Sequence, residues 1–153
     1  AVGMAIGLKR DGRGSRVYAL VGDGETQEGQ VWEAIQCANT YKLDNFTVII
    51  DENNLQIDGH CDEISPNLDF VAKLMAFGYD VERVDGHDMQ AVSDAFDRLR
   101  SLRNGRPKAL IANTVKGKGV SYMEDIAGWH GAAPDDEQYA QAVIEIEKGL
   151  RTE

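Results

Sequence analysis

The sequence has no apolar run close to the roughly 18 residues that a membrane-spanning helix needs, so no membrane span is expected. It also lacks a basic excess, since 16 Lys and Arg residues stand against 26 Asp and Glu residues and the formal net charge is -10. Nucleic acids and anionic membranes are bound by basic surfaces, so we expect neither partner. The first ten residues lack the charged-then-apolar layout of a signal peptide, which favours a cytoplasmic location.

Cysteine is scarce, and the familiar nucleotide-binding motifs are missing. Cys37 and Cys61 have the spacing of neither a metal-ligand pair nor a disulfide framework, so we expect two free thiols. The sequence contains no P-loop lysine motif and no GxGxxG, which argues against a nucleotide-binding α/β domain.

An initial methionine is lacking too. The chain opens on AVGMAIGLKR, a pattern typical of the middle of a buried helix, which indicates a truncated start without its upstream portion.

What the sequence does contain is a regular alternation of helical and strand-like periods. Strands are predicted at 16–21, 46–50, 79–84 and 108–115, and helices at 30–41, 67–77, 89–102 and from beyond Pro134 to about Leu150. This alternation favours an α/β domain with a mainly parallel sheet. The length of 153 residues suits a single core, so 1–153 is expected to form one domain. We expect a three-layer, doubly wound fold with helices on both faces of the sheet.

Polar side chains follow the first two predicted strands. Gly22-Asp23-Gly24 comes after the first, and Asp51 to Asn54 (DENN) comes after the second. By itself GDG is typical of a turn. A right-handed crossover returns the chain beside its starting strand, so the side chains of Asp23 and Asn53 are expected to meet at one sheet edge. Carboxylate and amide oxygens suit Mg²⁺, and together the two segments favour a shared ion over two ordinary loops.

A family resemblance rests on these segments and on others downstream. GDGETQEG followed after one helix by DENNLQIDG resembles the thiamine-diphosphate motif of transketolases. The segments VDGHD, NTVKGKGVS and WHGAAP resemble transketolase segments in the same order, so nearly the whole chain is covered. The resemblance implies the thiamine-diphosphate-binding fold, with thiamine diphosphate and Mg²⁺ as cofactors.

The resemblance also assigns roles to individual residues. The implied cofactor contacts are Gly22, Asp23, Gly24, Asn53, Leu55, Ile57 and His130. Mg²⁺ would be bound by the side chains of Asp23 and Asn53 and by the backbone carbonyl of Leu55. The two glycines would lie near the diphosphate, where the missing β-carbons let it approach the backbone, and Ile57 would lie near the thiazolium ring.

Two residues are predicted to have catalytic roles. Glu28 belongs, by resemblance, to a carboxylate network at a dimer interface that links paired cofactor sites; its ordinary explanation is a solvated loop carboxylate. His130 lies in Trp129-His130-Gly131, in a loop with few apolar residues, and matches the transketolase histidine near the diphosphate and the reacting centre. We therefore predict that His130 contacts the cofactor and transfers protons. The sequence assigns no role to Lys116, Lys118, His60 or His87.

The activity implied is that of a transferase in pentose phosphate metabolism. A transketolase moves a two-carbon ketol unit from a ketose phosphate to an aldose acceptor. The family also needs a glutamate on a pyrimidine-binding domain and sugar-binding histidines upstream, and neither is in this sequence. The chain therefore resembles the N-terminal subunit of a split transketolase. We expect a pyrimidine-binding C-terminal subunit as partner, a homo-oligomer of such pairs, and sugar phosphates as substrates.

Three alternatives remain open from the sequence. The α subunit of a 2-oxoacid dehydrogenase shares GDG and the later asparagine, but IDGH and WHGAAP favour transketolase. Deoxyxylulose-phosphate synthase is the second alternative, and its segment at the position of QEG is less similar to this sequence. A non-catalytic module that keeps the cofactor cradle without turnover is the third alternative.

Overall fold

The computed structural model describes residues 1–150, and these form a parallel sheet between two layers of helices. The helices are α1 (Val2–Arg10), α2 (Gly29–Thr40), α3 (Cys61–Ile64), α4 (Phe70–Ala76), α5 (Met89–Ser101) and α6 (Asp136–Leu150), and the strands are β1 (Val17–Gly22), β2 (Phe46–Glu52), β3 (Leu55–Gln56), β4 (Gly59–His60), β5 (Asp80–Asp85) and β6 (Lys108–Asn113). The main sheet has the order β1-β2-β6-β5, with all three pairings parallel. The four predicted strands and the predicted α/β class are confirmed.

The two layers of helices follow from the alternation of side chains along the strands. On one face, Val48 and Ile50 of β2 join a core with side chains of α1, α2 and α4. On the other face, Ile49 contacts a smaller core in which Ala95 and Leu99 of α5 pack against β6. Neighbouring residues of one strand thus enter two different cores. This arrangement confirms the predicted three-layer, doubly wound architecture.

Helix α4 is shorter than the sequence predicts, because the chain turns before it. The prediction began at residue 67, but Leu68 has a positive φ of 55° and the helix begins at Phe70. The Asp69 side chain caps it by accepting hydrogen bonds from the backbone N–H groups of Val71 and Ala72. Asn67 therefore lies outside the helix, where its side chain reaches the loop after β1.

A small hairpin, β3–β4, follows β2 directly and was not predicted as an element. Asn54 enters it with a positive φ of 60°, a conformation that asparagine tolerates better than most residues. Gly59 leaves the turn at a φ of 139°, which strongly favours glycine. The Asn54 side chain exchanges two hydrogen bonds with Asp62 of α3, which anchors the hairpin. Among residues 1–150, no helix is long and apolar enough to cross a membrane.

Candidate cofactor site

The strands of the main sheet end together at one edge. Gly22 of β1 is paired with Asp51 of β2, and Asn113 of β6 is level with both Glu52 and Asp85. In an open parallel sheet this edge is where ligands bind. The residues that follow β1 and β2 therefore lie in the position where the fold most often places a site.

Asp23 is the most buried acidic residue at this edge, with 2% of its surface exposed. Its Oδ2 accepts a 2.6 Å hydrogen bond from the N–H of Asn54, and its Oδ1 accepts one of 2.8 Å from the N–H of Gly24. The Cys61 thiol lies 3.6 Å from the same Oδ1. Burial raises the pKa of Asp23, and the two backbone hydrogen bonds only partly oppose that shift. Among residues 1–150, no basic side chain forms an ion pair with it.

A second hydrogen-bond network stabilises the loop that carries Asp23. The Asp23 carbonyl accepts hydrogen bonds from the Thr26 hydroxyl at 2.6 Å and from the Asn67 amide at 3.0 Å. Trp32 donates its indole N–H to the Thr26 carbonyl at 2.6 Å. Lys73 lies over the Trp32 ring and donates to the Asn67 carbonyl. The position of Asp23 is thus determined by side chains from three separate segments.

Asn53 has a defined amide orientation at the same edge. Its Nδ2 donates to Asp51 Oδ2 at 3.1 Å, and its Oδ1 accepts from the N–H of Leu55 at 2.9 Å. The 2.6 Å hydrogen bond between Asn54 and Asp23 brings the β1 and β2 loops together. The expectation was that the side chains of Asp23 and Asn53 meet at one edge. Both line one cavity, and the hydrogen bond that links the two loops joins Asp23 to the backbone of Asn54, so a shared ion stays a prediction.

The donor set at this edge fits a hard divalent cation. A carboxylate oxygen of Asp23, the amide oxygen of Asn53 and the backbone carbonyl of Leu55 are all oxygen donors, as Mg²⁺ prefers. A carboxylate offers about four acceptor positions, and three donors contact that of Asp23, so one position is left for an ion. Within residues 1–150, no group of three His, Cys, Asp or Glu residues could hold a metal ion. A metal here would have to complete its shell with amide, carbonyl, water or ligand oxygens.

A cavity of about 650 Å³, which we call the hairpin cavity, opens between β1, the hairpin and the His130 segment. Seven of the residues predicted as site residues line it: Gly22, Gly24, Glu28, Asn53, Leu55, Ile57 and His130. Leu20 and Ile57 are large apolar side chains that are 69% and 73% exposed. The cavity therefore combines an apolar wall with polar groups from three loops, as small-molecule sites do.

The two glycines of GDG differ in what they do. A β-carbon at Gly22 would have only the Glu25 carboxylate near it, at 3.8 Å, so there is space beside this backbone, whose N–H donates to the same carboxylate at 2.8 Å. A β-carbon at Gly24 would lie 2.9 Å from the β-carbon of Gln56. Gly24 is therefore needed for close packing against the hairpin. There is space for a ligand beside Gly22, as predicted, whereas Gln56 of the hairpin occupies the corresponding space at Gly24.

The basic groups of the hairpin cavity come from the segment after β6. His130 ends a short 3-10 helix, Ala127–His130, and its side chain is exposed to the cavity. Lys116, to which the sequence assigned no role, lines the same cavity. No sequence signal showed which lysine of KGKG faces the site, because that depends on the path of a long loop. Glu28 is exposed at the rim.

A second cavity of about 980 Å³ lies on the other side of Asn53 and includes Asp23. Asn53 lines both cavities, while Asp23 lines only the larger one. His87 and Lys118 also line the larger cavity, and the His87 Nε2 accepts a 2.8 Å hydrogen bond from the N–H of Val115. That contact gives His87 of VDGHD a role in holding the loop after β6. His60 lies on β4, paired with Leu55.

Comparison with known proteins agrees with this geometry. Residues 10–148 match the family model described as transketolase, thiamine diphosphate binding domain. Among curated proteins, one subunit of an apulose-4-phosphate transketolase from Phocaeicola vulgatus is 44% identical over 149 residues, which are 97% of this chain and 53% of the relative. A 6-deoxy-6-sulfo-D-fructose transketolase subunit from a Clostridium species is 37% identical over 148 residues, covering 97% of this chain and 54% of the relative. The chain thus spans about half the length of these relatives.

Solved structures show the same fold. The transketolase of Campylobacter jejuni superposes with a TM-score of 0.88 at 30% identity, covering 95% of this chain and 24% of that one. A Pichia stipitis transketolase in complex with sedoheptulose 7-phosphate superposes with a TM-score of 0.87 at 25% identity, covering 95% and 23%. The match over residues 10–148, together with the strand-edge geometry, shows that this chain belongs to the transketolase family and carries its thiamine-diphosphate-binding domain.

Proposed function

We propose that this chain binds Mg²⁺ and the diphosphate of thiamine diphosphate as one half of a transketolase active site. The observation that carries the proposal is the buried carboxylate of Asp23, which lines the same cavity as Asn53 and has no cationic partner among residues 1–150. Burying an ionised carboxylate is unfavourable unless a positive charge accompanies it. A bound divalent cation would supply that charge.

The roles of the residues follow from their hydrogen bonds. Backbone N–H groups of Gly24 and Asn54 hold the Asp23 carboxylate in one orientation, and Leu55 does the same for the Asn53 amide. These ligands are therefore arranged before an ion arrives, which reduces the entropy lost on binding. The backbone carbonyl of Leu55 would be the third protein ligand.

The hairpin cavity would hold the rest of the cofactor. Gly22 leaves space beside the backbone for a diphosphate, and Lys116 and His130 offer it donors in an otherwise acidic protein. Leu20 and Ile57 would cover the thiazolium ring with apolar surface. When bound, thiamine diphosphate supplies the ring that stabilises a carbanion, and the protein contributes orientation and electrostatics. His130 is positioned at the cavity to hold or move a proton.

The other half of the site is proposed to lie on a partner. The relatives from Phocaeicola and Clostridium are named as transketolase subunits, which supports a pyrimidine-binding C-terminal subunit for this chain. Glu28, exposed at the rim of the hairpin cavity, would meet a carboxylate network at the interface between paired sites in a homo-oligomer of such pairs. A cytoplasmic location remains a prediction.

The reaction proposed is transfer of a two-carbon ketol unit from a ketose phosphate to an aldose acceptor. The names of two relatives include an apulose phosphate and a sulfonated fructose, so the sugar named differs between these relatives. The residues that line the hairpin cavity include those that we propose to bind the cofactor. We therefore infer that the choice of sugar depends on segments outside this chain.

The test is cofactor binding by the full natural chain combined with its pyrimidine-binding partner. Calorimetry should show thiamine diphosphate binding that requires Mg²⁺ in the parent, and the affinity should fall by more than about 100-fold in Asp23→Ala or Asn53→Ala. Asp58→Asn removes a carboxylate from the tip of the same hairpin, where it is exposed, and should change the affinity less than about twofold. Circular dichroism checks that each variant is folded. An unchanged affinity in both alanine variants would contradict the metal assignment.

A further inference from the structure

A small cavity of about 170 Å³, which we call the arginine pocket, lies at the end of the sheet opposite the proposed cofactor site. Lys9, Arg13 and Arg16 reach it from the end of α1 and the loop to β1, and Arg103 reaches it from the loop between α5 and β6. Asp44, before β2, is its one acidic lining residue. Two segments that are distant in the sequence thus bring four basic side chains together in a protein with a formal net charge of -10.

The charges in the arginine pocket do not balance. Lys9 donates to Asp44 at 2.8 Å, and this hydrogen bond lowers the pKa of Asp44 and keeps the pair ionised. Those two charges cancel. Arg16 donates to the carbonyl of Arg100 at 3.0 Å, which is a neutral partner. No carboxylate among residues 1–150 pairs with the guanidinium groups of Arg13, Arg16 or Arg103, so three positive charges are left facing one cavity.

The preference for basic residues near helix C-termini explains only part of this cluster of basic side chains. Basic residues are favoured in the last turn of a helix, and Lys9 of α1 fits that rule. Arg13 and Arg103 lie beyond the ends of their helices, where the effect of the dipole fades. Arg13 and Arg103 are exposed, so water and salt weaken the repulsion among the three positive charges, and a bound anion would reduce it further. Gly14 also lines the pocket, and its backbone N–H makes no hydrogen bond within the described part of the chain.

We propose that the arginine pocket binds a small anion of the phosphate or phosphomonoester class. Guanidinium groups match the geometry of phosphate oxygens and bind them through paired hydrogen bonds. The volume suits one phosphoryl group, since typical sites for larger organic ligands begin at roughly 300 Å³. A six-residue strand spans about 20 Å, so this site is separate from the cofactor site and does not depend on the proposed function.

The experiment is a titration of the full natural chain, with its partner subunit, observed by NMR of glycines labelled with ¹⁵N. Thiamine diphosphate and Mg²⁺ are present in excess so that the cofactor site does not compete for phosphate. Inorganic phosphate is added at constant ionic strength, and the amide signals of Gly12 and Gly14 should shift with saturation. A second titration uses glucose 6-phosphate, which distinguishes a site for free phosphate from one for a sugar phosphate.

Matched variants give the decisive comparison. Arg13→Gln and Arg103→Gln should each weaken binding about fivefold or more, because each removes charge-assisted hydrogen bonds. Arg10→Gln removes the same charge from an exposed position near the pocket but not lining it, and should weaken binding less than about twofold. Thermal unfolding checks that the variants are folded. The proposal is overturned if neither anion shifts these amides, or if Arg10→Gln weakens binding as much as the pocket variants.

Discussion

Two carboxylates in poorly solvated positions lie at opposite ends of the same sheet, and they have opposite surroundings. Asp80 begins β5 with its side chain 13% exposed, next to Lys108, whose side chain is 1% exposed, and 3.2 Å from Arg106. Burial disfavours its ionised form, but hydrogen bonds from Lys108 and Asn104 and the two positive charges outweigh this, and the pKa of Asp80 is lowered. Asp23 follows β1 without such a partner, and burial raises its pKa.

The difference distinguishes a carboxylate that is neutralised within the chain from the one that we propose as a metal ligand. The charge of Asp80 is compensated within the chain, so it contributes to the folded state by itself. Within residues 1–150, the charge of Asp23 is stabilised by two backbone N–H groups and the Cys61 thiol and by no cation, and the proposed Mg²⁺ would supply the missing positive charge. Active sites commonly keep such uncompensated groups at a cost in stability.

The largest expected effect is the loss of folding stability when the ion pair between Asp80 and Lys108 is broken. Asp80→Asn leaves the Lys108 ammonium buried without its carboxylate, and the free energy of unfolding should fall by about 3–5 kcal/mol. Urea unfolding of parent and variant measures the change. Asp97→Asn is the control, because Asp97 pairs with Arg100 at the surface, where its side chain is 72% exposed, and its loss should not be measurable. Equal losses in both variants would refute a structural role for Asp80.

A smaller loss of stability is expected when the carboxylate of the proposed metal ligand Asp23 is neutralised. Without cofactor, Asp23→Asn should cost less than about 2 kcal/mol, because it removes a disfavoured charge while leaving one backbone donor poorly satisfied. The sign of the pH dependence follows from the raised pKa, since the folded state holds the proton more tightly than the unfolded one. The parent should therefore lose stability relative to the variant as the pH rises from about 4 through the pKa of the folded state.

Urea unfolding at several pH values, without Mg²⁺ and cofactor, measures this difference. A difference between parent and variant that stays constant with pH would show that Asp23 is not destabilised by its charge. Adding Mg²⁺ and thiamine diphosphate should stabilise the parent assembly and leave Asp23→Asn unchanged, since only a species that binds the folded state raises its stability.

The smallest effect concerns the thiol beside Asp23. Burial, followed by the negative charge of Asp23, raises the pKa of Cys61 to about 11. At about pH 8, iodoacetamide should therefore modify the half-buried Cys37 first and leave Cys61 largely unmodified in the folded protein. In Asp23→Asn the reaction of Cys61 should be faster, by less than about tenfold, because the repelling charge is gone. Mass spectrometry measures both rates, and an unchanged rate at Cys61 would argue against the contact.

Much of the fold was predictable because it depends on local pattern. The apolar runs of β2 and β6 and the helical period of α5 identified their elements to within two residues. The pairing of β1 with β2, which brings the loops of Asp23 and Asn53 to one edge, was predictable as well, since a β-α-β crossover places consecutive strands side by side. The start of α4 was not, because the positive φ of Leu68 depends on contacts that Asn67 makes with a distant loop.

The residues around the site were harder to predict than the site itself. Cys61 and Asn67 contact Asp23 from 38 and 44 positions away in the sequence. Lys116 and Lys118 look alike in KGKG, yet they line different cavities. No local pattern distinguishes them, because the direction of each side chain depends on how the loop after β6 packs.

The amino-acid sequence was sufficient to predict the family, the parallel sheet and the two loops at its edge, because motif order and hydrophobic period are properties of the chain alone. Which charges are neutralised by a partner became known from the folded structure. Asp80 begins β5 and Asp23 directly follows β1, and the local sequence of each does not reveal that Asp80 pairs with Lys108 whereas Asp23 pairs with no cation within residues 1–150. The reason is physical: the energy of a buried charge depends on distances to groups that folding brings from elsewhere in the chain.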